Sequence, residues 1–296
     1  MVRAADRAER PARTSVWLES RAPRGGGARG GQPSSLDRDR ITEVTVRLLD
    51  AEGLAKFSMR RLAAELNVTA MSVYWYVDTK DDLLELALDA VYGEMELPDL
   101  GPDSGPGPGP GSDVSPGPGP GPGPDFGAGA GAGAGPGPGS GEDWRDQLRA
   151  IASGYRALLV RHPWASPLAG TFLNIGPRSV AFSRTVQRVI RRTGLPAHRL
   201  TGAISAVFQF VYGFGTIEGH FTLRSADAGM SPDEYFQQAL STLREAPELG
   251  EVLEESKEIM RARGGSTVEE MYERDFNFAL DLVIAGIEAM VLRGER

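Results

Sequence analysis

The segment at residues 58–80, SMRRLAAELNVTAMSVYWYVDTK, constrains the fold more than any other part of the chain. Its pattern predicts two short helices separated by a tight turn, with a polar cap before each helix. Tyr74, Trp75 and Tyr76 follow one another at the end of the second helix. Three consecutive positions cover roughly 200° of a helix, so these rings cannot all face one core. Some of this aromatic surface must therefore face a partner.

Four helices are predicted in this part of the chain. The first ends at Gly53, the second runs over residues 59–66 behind a Ser cap, and the third covers residues 70–76. Thr79 and Asp82 form a capping box that opens a long fourth helix. Four helices of this order, with a short turn between the second and the third, are typical of a DNA-binding helix-turn-helix.

The side chains of this unit have the chemistry of a DNA-binding surface. At the start of the third helix, Ser72 can bond to a base edge and Met71 can touch a thymine methyl group. Contacts to phosphates fix the register of a protein on DNA without specifying sequence. The residues that can make such contacts are Arg60, Tyr74, Tyr76 and Lys80. The alternative is that Tyr74 and Trp75 belong to the core of a small three-helix domain.

From about residue 36 to residue 97 the chain resembles the N-terminal domain of the tetracycline-repressor-like (TetR) family. The blocks FSMRRLAAELNV, SVYWYV and TKDDLL carry this resemblance, and YWYV followed by Lys is far more specific than a generic helix-turn-helix. The resemblance implies DNA contacts from Met59, Arg60, Ala70, Met71, Ser72, Tyr74, Trp75, Tyr76 and Lys80. Ala70 and Met71 replace the polar and Pro residues of the founding repressor, and Tyr76 replaces its His. The operator sequence therefore does not carry over.

Composition excludes several classes of protein. The chain of 296 residues allows two domains and contains no Cys, which excludes disulfides, thiolate metal sites and Cys nucleophiles. No apolar run approaches the roughly 18–20 residues of a membrane span, and the first 35 residues lack the apolar core of a signal peptide. We expect a cytoplasmic protein that does not contact the membrane.

Charge limits how this protein can bind DNA. The net charge is −8, and residues 36–80 carry seven basic and seven acidic side chains. Affinity must then come from a few placed contacts, doubled by dimerisation. Residues 1–35, with seven Arg against three acidic residues, are expected to form a disordered basic arm that adds a salt-sensitive contribution.

A Gly/Pro-rich segment divides the chain. Of the 41 residues from 101 to 141, 17 are Gly and 11 are Pro, a composition that forms neither a core nor a regular helix. It predicts a disordered linker over residues 98–141, between a DNA-binding domain at residues 36–97 and a second domain at residues 142–296. In the TetR family the fourth helix connects almost directly to the next one. Our hypothesis is that the fourth helix still docks on the second domain while the linker loops out.

The second domain is predicted to be a helical bundle. Apolar residues recur at helical spacing up to residue 161 and again over residues 177–192, 198–221 and 267–292, and no strand pattern competes. The fold class is therefore all-α: a three-helix helix-turn-helix domain with a connecting helix, followed by a helical ligand-binding and dimerisation bundle.

The resemblance also implies a dimer. In this family the last two helices of the domain form a four-helix bundle with those of a second copy, which suits palindromic half-sites on DNA. Gly213, Gly215 and Gly219 would allow the helices to approach closely there. The alternative is an ordinary monomeric core.

A ligand pocket is predicted in the second domain, aromatic and with few polar groups. Its candidate lining residues are Ile151, Tyr155, Trp164, Phe172, Asn174, Phe182, Phe208 and Tyr212. In the founding repressor a His and a Glu hold a magnesium-bound drug, with the help of an Asn. Here Ile151 stands at the Asn position and no His falls where the metal ligand is expected, although Glu218 lies near the acidic position. We expect a small apolar or aromatic effector, with no metal and no cofactor.

These features predict a dimeric repressor whose ligand shifts the spacing of its two recognition helices. Within transcription, an activator or a ligand-blind regulator is the alternative. An enzyme with an attached helix-turn-helix would have to use His162, His220 and Glu218, but no nucleophile–base spacing or phosphate-binding Gly loop supports one, and no catalytic residue is predicted. A pure dimerisation scaffold would leave the aromatic run unexplained.

Overall fold

The computed structural model describes residues 15–18, 36–101, 143–245 and 250–294. Within these ranges the fold is all-α, as predicted. The helices are α1 (Arg38–Lys56), α2 (Met59–Glu65), α3 (Ala70–Val73), α4 (Lys80–Tyr92), α5 (Trp144–Arg161), α6 (Ala165–Ala169), α7 (Pro177–Arg191), α8 (Ala197–Asp227), α9 (Pro232–Arg244), α10 (Gly250–Arg263) and α11 (Val268–Gly294). The predicted linker beyond residue 101 and most of the predicted arm lie outside the described residues.

Helices α1 to α3 pack around a small apolar core that α4 completes. Ile41 and Leu49 of α1, Leu62 of α2 and Leu83 of α4 are almost fully buried there. The backbone of α1 leaves the helical region at Gly53, where φ is 75° and only Gly is free of strain. The predicted break at this residue is therefore confirmed.

The third helix is shorter than predicted. It starts behind Thr69, whose Oγ1 accepts a hydrogen bond from the amide of Ser72, and it ends at Val73. Tyr76 donates its amide to the carbonyl of Val73 at 2.9 Å, three residues back. This is the tight bonding pattern that commonly closes a short helix. The aromatic run consequently lies in a turn at the end of α3.

Helix α4 belongs to both domains. The predicted capping box of Thr79 and Asp82 begins it, and one continuous apolar core joins its residues to those of α1 and to those of α5 and α7. Buried side chains lie on all sides of it, including the carboxylates of Glu85 and Asp89. The position of α4 is therefore set by the second domain as well as by the first.

Arg192, which caps the C-terminal end of α7, bonds to the chain on both sides of the linker. One nitrogen of the Arg192 guanidinium donates to the carbonyl of Leu100 at 2.8 Å, and another donates to Oε1 of Gln147 at 3.0 Å. Leu100 is buried, and Arg188 also donates to the carbonyl of Gly101. The fourth helix thus docks on the second domain, as hypothesised.

Helices α5 and α8 pack closely along their length. A Cβ atom at Gly219 would lie 2.7 Å from the carbonyl oxygen of Leu159, and one at Gly215 would lie 3.1 Å from the Leu159 Cβ. These two glycines serve a contact within the chain, so the prediction that they mediate dimer packing is wrong. Gly213 has nothing within 4 Å of such a Cβ position.

Helix α8 is longer than predicted and largely uncovered. Among the described helices, it alone is long and apolar enough to cross a membrane, judged by length and composition only. In its most apolar stretch, 22% of the residues are buried within this chain. Helices of a soluble protein that lie against another subunit have the same character.

Candidate nucleic-acid interface and effector site

The turn after α3 presents a large exposed surface. Trp75 is 71% exposed, Met71 is 69% exposed and Tyr74 is 40% exposed. The alternative that Trp75 belongs to the core is therefore wrong. Arg60 is also exposed and makes no ion pair within the described residues. Together these side chains form a surface with aromatic, thioether and cationic groups.

Two of the predicted phosphate contacts also hold the domain together. The hydroxyl of Tyr76 donates to the carbonyl of Leu36 at 2.8 Å. The ammonium group of Lys80 donates to the carbonyl of Phe57 at 2.9 Å and lies 5.4 Å from the centre of its ring. These contacts fasten the turn after α3 and the start of α4 to the rest of the domain.

The three other residues predicted to contact DNA differ in how far they are exposed. Met59 is buried, so its side chain is not available to DNA; a contact from this position would come from its backbone. Ala70 is half-buried at the start of α3. Ser72 lies beside it, with its hydroxyl 2.9 Å from that of Thr69.

The charges of this domain are paired with one another. Arg61 contacts Glu52 and Glu65, and Arg47 also reaches Glu65. These exposed pairs contribute little to stability. Their effect is to leave few basic side chains for phosphates, in keeping with the near-neutral charge of the sequence.

An aromatic cluster occupies the centre of the second domain. Tyr155, Phe182 and Phe208 lie with ring centres 5.3–6.2 Å apart, and Ile151 is buried on the same helix as Tyr155. The cluster includes Tyr92 of α4, 5.5 Å from Phe182, which the sequence did not indicate. Burial raises the pKa of the Tyr155 phenol and that of the Tyr92 phenol, so both stay protonated and neutral.

The remaining predicted lining residues are not all in this cluster. Tyr212 is half-buried, and its hydroxyl donates to the carbonyl of Ser166 at 2.9 Å. Phe172 and Asn174 line a small cleft between α4 and the segment that leads into α7. Trp164 lies apart, because its indole N–H donates to Oδ1 of Asp50 at 2.6 Å in the first domain.

His162 joins the two domains beside Trp164. Its Nδ1 lies 2.6 Å from Oδ1 of Asp50 in α1, and its Nε2 lies 3.0 Å from Oε2 of Glu94, just after α4. Burial acts to lower the pKa of His162, but hydrogen bonds with the two carboxylates outweigh it, so the pKa is raised. Arg161 also contacts Glu94, at 3.1 Å.

Asp89 of α4 caps the first turn of α7. Its carboxylate accepts from the amide and the hydroxyl of Ser179 at 2.9 and 3.0 Å, and from the amide of Arg178 at 3.1 Å. The first amides of a helix favour an anionic partner. Glu85 and Asp89 are not among the residues predicted from the sequence, although two acids in the apolar run LLELALDAV are a signal of buried, partnered carboxylates.

Within the described part of the chain, no group of three or more His, Cys, Asp or Glu residues could hold a metal ion. The Glu218 carboxylate near the predicted acidic position is bonded by both Nε and Nη2 of Arg156, at 2.6 and 2.8 Å. This buried pair is part of the packing between α5 and α8.

Two family models match the chain. Residues 41–87 match the model described as bacterial regulatory proteins, tetR family. Residues 136–291, more than half of the chain, match the model described as tetracyclin repressor-like, C-terminal domain. The first match ends before the Gly/Pro-rich segment, and the second begins within the last six residues of that segment.

Two relatives are similar in sequence. The HTH-type transcriptional repressor DrrR1 of Streptomyces coeruleorubidus is 30% identical over 286 residues, which cover 95% of this chain and 86% of the relative. An HTH-type transcriptional regulator of Saccharopolyspora erythraea is 34% identical over 178 residues, covering 60% of this chain and 59% of that protein.

Solved structures share the fold. Apo ActR from Streptomyces coelicolor superposes with a TM-score of 0.57 at 22% identity, covering 89% of this chain and 100% of ActR. ActR in complex with actinorhodin gives a TM-score of 0.57 at 23% identity, covering 87% of this chain and 97% of ActR.

Proposed function

This chain belongs to the tetR family of bacterial regulatory proteins, which are DNA-binding transcriptional regulators, and from that premise we propose that it is a dimeric, ligand-responsive repressor of a palindromic operator. The family is one of regulators, not a class of enzymes. Such a protein acts where the chromosome is, in the cytoplasm.

The observation that carries the proposal is the exposed turn after α3. Met71, Tyr74 and Trp75 cannot be explained as core, and Arg60 at the start of α2 is exposed as well. Thioether and aromatic groups suit thymine methyls and sugar–phosphate edges, and a guanidinium suits a phosphate. The small side chains of Ala70 and Ser72, at the start of α3, would let the backbone approach a base edge.

A second copy of the chain accounts for the uncovered face of α8 and α11. Ile217 on α8 is 65% exposed, and Phe278 on α11 is 66% exposed. Leu223 and Leu282 are exposed on the same two helices. Apolar surface of this extent on neighbouring helices is typical of a protein interface. A two-fold axis through it would present two recognition turns to a palindrome.

The effector proposed is a small apolar or aromatic molecule bound without metal. Tyr155, Phe182 and Phe208 supply aromatic surface for it, and Tyr92 brings α4 into the same cluster. A ligand that separates these rings would move α4 and with it the DNA-binding domain. Repression is relieved only if the ligand binds the DNA-incompetent arrangement more tightly. A fold of this kind holds actinorhodin in ActR.

Selection of bound DNA from a random pool tests the proposal. We expect the purified full chain to enrich a palindromic motif, and enrichment of no sequence would overturn the proposed function. Transcription in vitro from a promoter that overlaps the selected motif then decides the sign of regulation. Stimulation in place of repression would favour the activator alternative.

A further inference from the structure

Residues 15–18, here called the strap, dock on α4. Ser15 is buried, and its hydroxyl donates to Oε2 of Glu85 at 2.6 Å. The amide of Val16 donates to the same oxygen at 3.2 Å, while the amide of Trp17 donates to the Ser15 hydroxyl. The strap is therefore ordered, and the prediction of a wholly disordered arm is wrong for these four residues. No local pattern in the sequence indicates this contact, because the partner carboxylate is 70 residues away.

The strap partners a carboxylate that would be costly to bury alone. Glu85 is itself buried, in a helix whose neighbouring residues are leucines. A buried carboxylate requires hydrogen-bond donors. Within the described residues, the donors to Glu85 are those of Ser15 and Val16.

Trp17 fills one side of a cleft between the two domains. With the Trp17 indole in place the cleft is narrow and has room for about one water molecule, so a larger ligand fits only where the indole now lies. Its other lining residues are Glu85, Leu88 and Asp89 of α4, and Phe172, Asn174, Gly176 and Ser179 on the opposite side. The indole is half-buried, with the guanidinium of Arg38 5.9 Å from its ring centre. Trp17 thus lies between α4 and the segment before α7.

The wall of this cleft contains an unpaired acceptor. Asn174 has a φ of 52°, and its Nδ2 donates to the carbonyls of Ala169 and Phe172, which fixes the amide group. Its Oδ1 is buried and has no hydrogen-bond partner among the described residues. Such orphaned acceptors are rare in folded proteins and require an explanation. The lining also includes two carboxylates and no basic residue, which disfavours an anionic ligand.

We propose that this cleft is a binding site for an uncharged aromatic ligand that carries a hydrogen-bond donor. The strap, a segment of the same chain, competes with this ligand for the site. The ligand places its ring where the Trp17 indole lies and donates to Oδ1 of Asn174. This cleft shares no lining residue with the cluster of Tyr155, Phe182 and Phe208, so the proposal adds a second ligand site. It rests on the proposed function, because a ligand bound between α4 and the segment before α7 is an effector only in a ligand-responsive regulator.

The strap sets the ligand concentration at which the protein responds. A segment tethered to its own site is present at an effective concentration that is commonly in the millimolar range. A ligand displaces the strap only when the ratio of its concentration to its Kd exceeds the ratio of the strap's effective concentration to the strap's own Kd. Weakening the strap therefore strengthens the apparent affinity for the ligand without changing the ligand's own contacts.

The test uses the acetylated and amidated peptide Ser-Val-Trp-Leu, labelled with 5-fluorotryptophan and followed by ¹⁹F NMR. It is added to the full chain, to Trp17→Ala and to the control Leu18→Ala, since Leu18 is 61% exposed. We expect Trp17→Ala to bind the peptide at least tenfold more tightly than the other two proteins. Ser15→Ala, which removes the hydroxyl bond to Glu85, should do the same and replaces Trp17→Ala if that variant does not fold.

Two further measurements define the site. Glu85→Gln added to Trp17→Ala should weaken peptide binding, and indole should displace the peptide from Trp17→Ala. Equal binding of the peptide by wild type and Trp17→Ala, or no binding by either, would overturn the proposal that the strap occupies this cleft. Failure of indole to compete would overturn the ligand site. Selection of bound DNA with the same protein preparations tests the proposed function independently. If no palindromic motif were enriched while indole still displaced the peptide, the proposed function would be refuted and the proposal for the strap would not.

Discussion

Trp75 and Tyr76 are adjacent in sequence but serve different purposes. The indole of Trp75 is exposed beyond the end of α3, whereas the hydroxyl of Tyr76 closes the domain through the carbonyl of Leu36. A sequence pattern locates such a run but does not say which ring faces inward. That distinction follows from the turn that replaces the last part of the predicted helix.

Substitution separates these two roles. Trp75→Ala should weaken DNA binding at least tenfold and change the free energy of unfolding by no more than ~0.5 kcal/mol, because its side chain is exposed. Tyr76→Phe should lower the unfolding free energy by about 1 kcal/mol through loss of one hydrogen bond. Urea denaturation and fluorescence anisotropy with labelled operator DNA measure both quantities. A large loss of stability in Trp75→Ala would show that this side chain packs in the core.

His162 makes the contact between the domains dependent on pH. Its pKa in the folded protein is raised above the ordinary value near 6.5, so its contribution to stability is complete below about pH 6.5. That contribution is lost as the pH rises through the folded-state pKa. The groups facing the imidazole are Asp50 and Glu94, with Arg161 beside Glu94.

The prediction concerns the difference between two proteins. Wild type should lose stability relative to His162→Gln as the pH is raised from 6 to 9, measured by urea denaturation at each pH. The exposed His198 supplies the control, and His198→Gln should follow wild type throughout. Parallel curves for wild type and His162→Gln would show that the imidazole does not couple to the carboxylates.

At the scale of the helices, local signals were predicted well and long-range ones were not. The caps at Ser58, Thr69 and Thr79 and the break at Gly53 depend on neighbouring residues, and the structure has all four. The partners of Glu85 and Asp89 depend on residues some 70 to 90 positions away. Gly215 and Gly219 likewise pack on α5 for reasons that helical spacing cannot show.

The same difference between local and long-range signals applies to the candidate sites. The exposed surface around α3 could be located from the sequence, because a helix-turn-helix is a short local unit. The aromatic cluster was found in part, from Tyr155, Phe182 and Phe208, but Tyr92 and the place of Trp164 follow only from the docking of α4. The cleft at Trp17 could not be predicted from the sequence, because it depends on a contact between the arm and α4.

The linker should be dispensable for coupling between the domains. Arg192, just after α7, bonds to the carbonyl of Leu100 and to the side chain of Gln147 in α5, so the folded parts on both sides of the linker are already joined. Deletion of residues 105–139 should leave DNA affinity unchanged within twofold and preserve release by an effector. Anisotropy with operator DNA measures both. Loss of release with normal DNA affinity would assign the linker a role in regulation.

For the whole molecule, the exposed faces of α8 and α11 predict a dimer. Phe278→Glu places a charge on this exposed apolar surface and should convert the protein to a monomer in sedimentation equilibrium. DNA affinity should fall at least a hundredfold, because a monomer binds only one half-site of the palindrome. Leu173→Glu, at another exposed apolar residue, is the matched control. A dimeric Phe278→Glu variant would place the interface elsewhere.

The guanidinium of Arg192 has a consequence for engineering. Because it fastens Leu100 and Gln147 together, the chain between them contributes no spacing that the folded parts need. Doubling the length of a flexible loop costs only about 0.6 kcal/mol. A fluorescent reporter with adjacent termini could therefore be spliced between residues 101 and 143, giving a sensor whose reporter sits beside α7 while operator binding is retained.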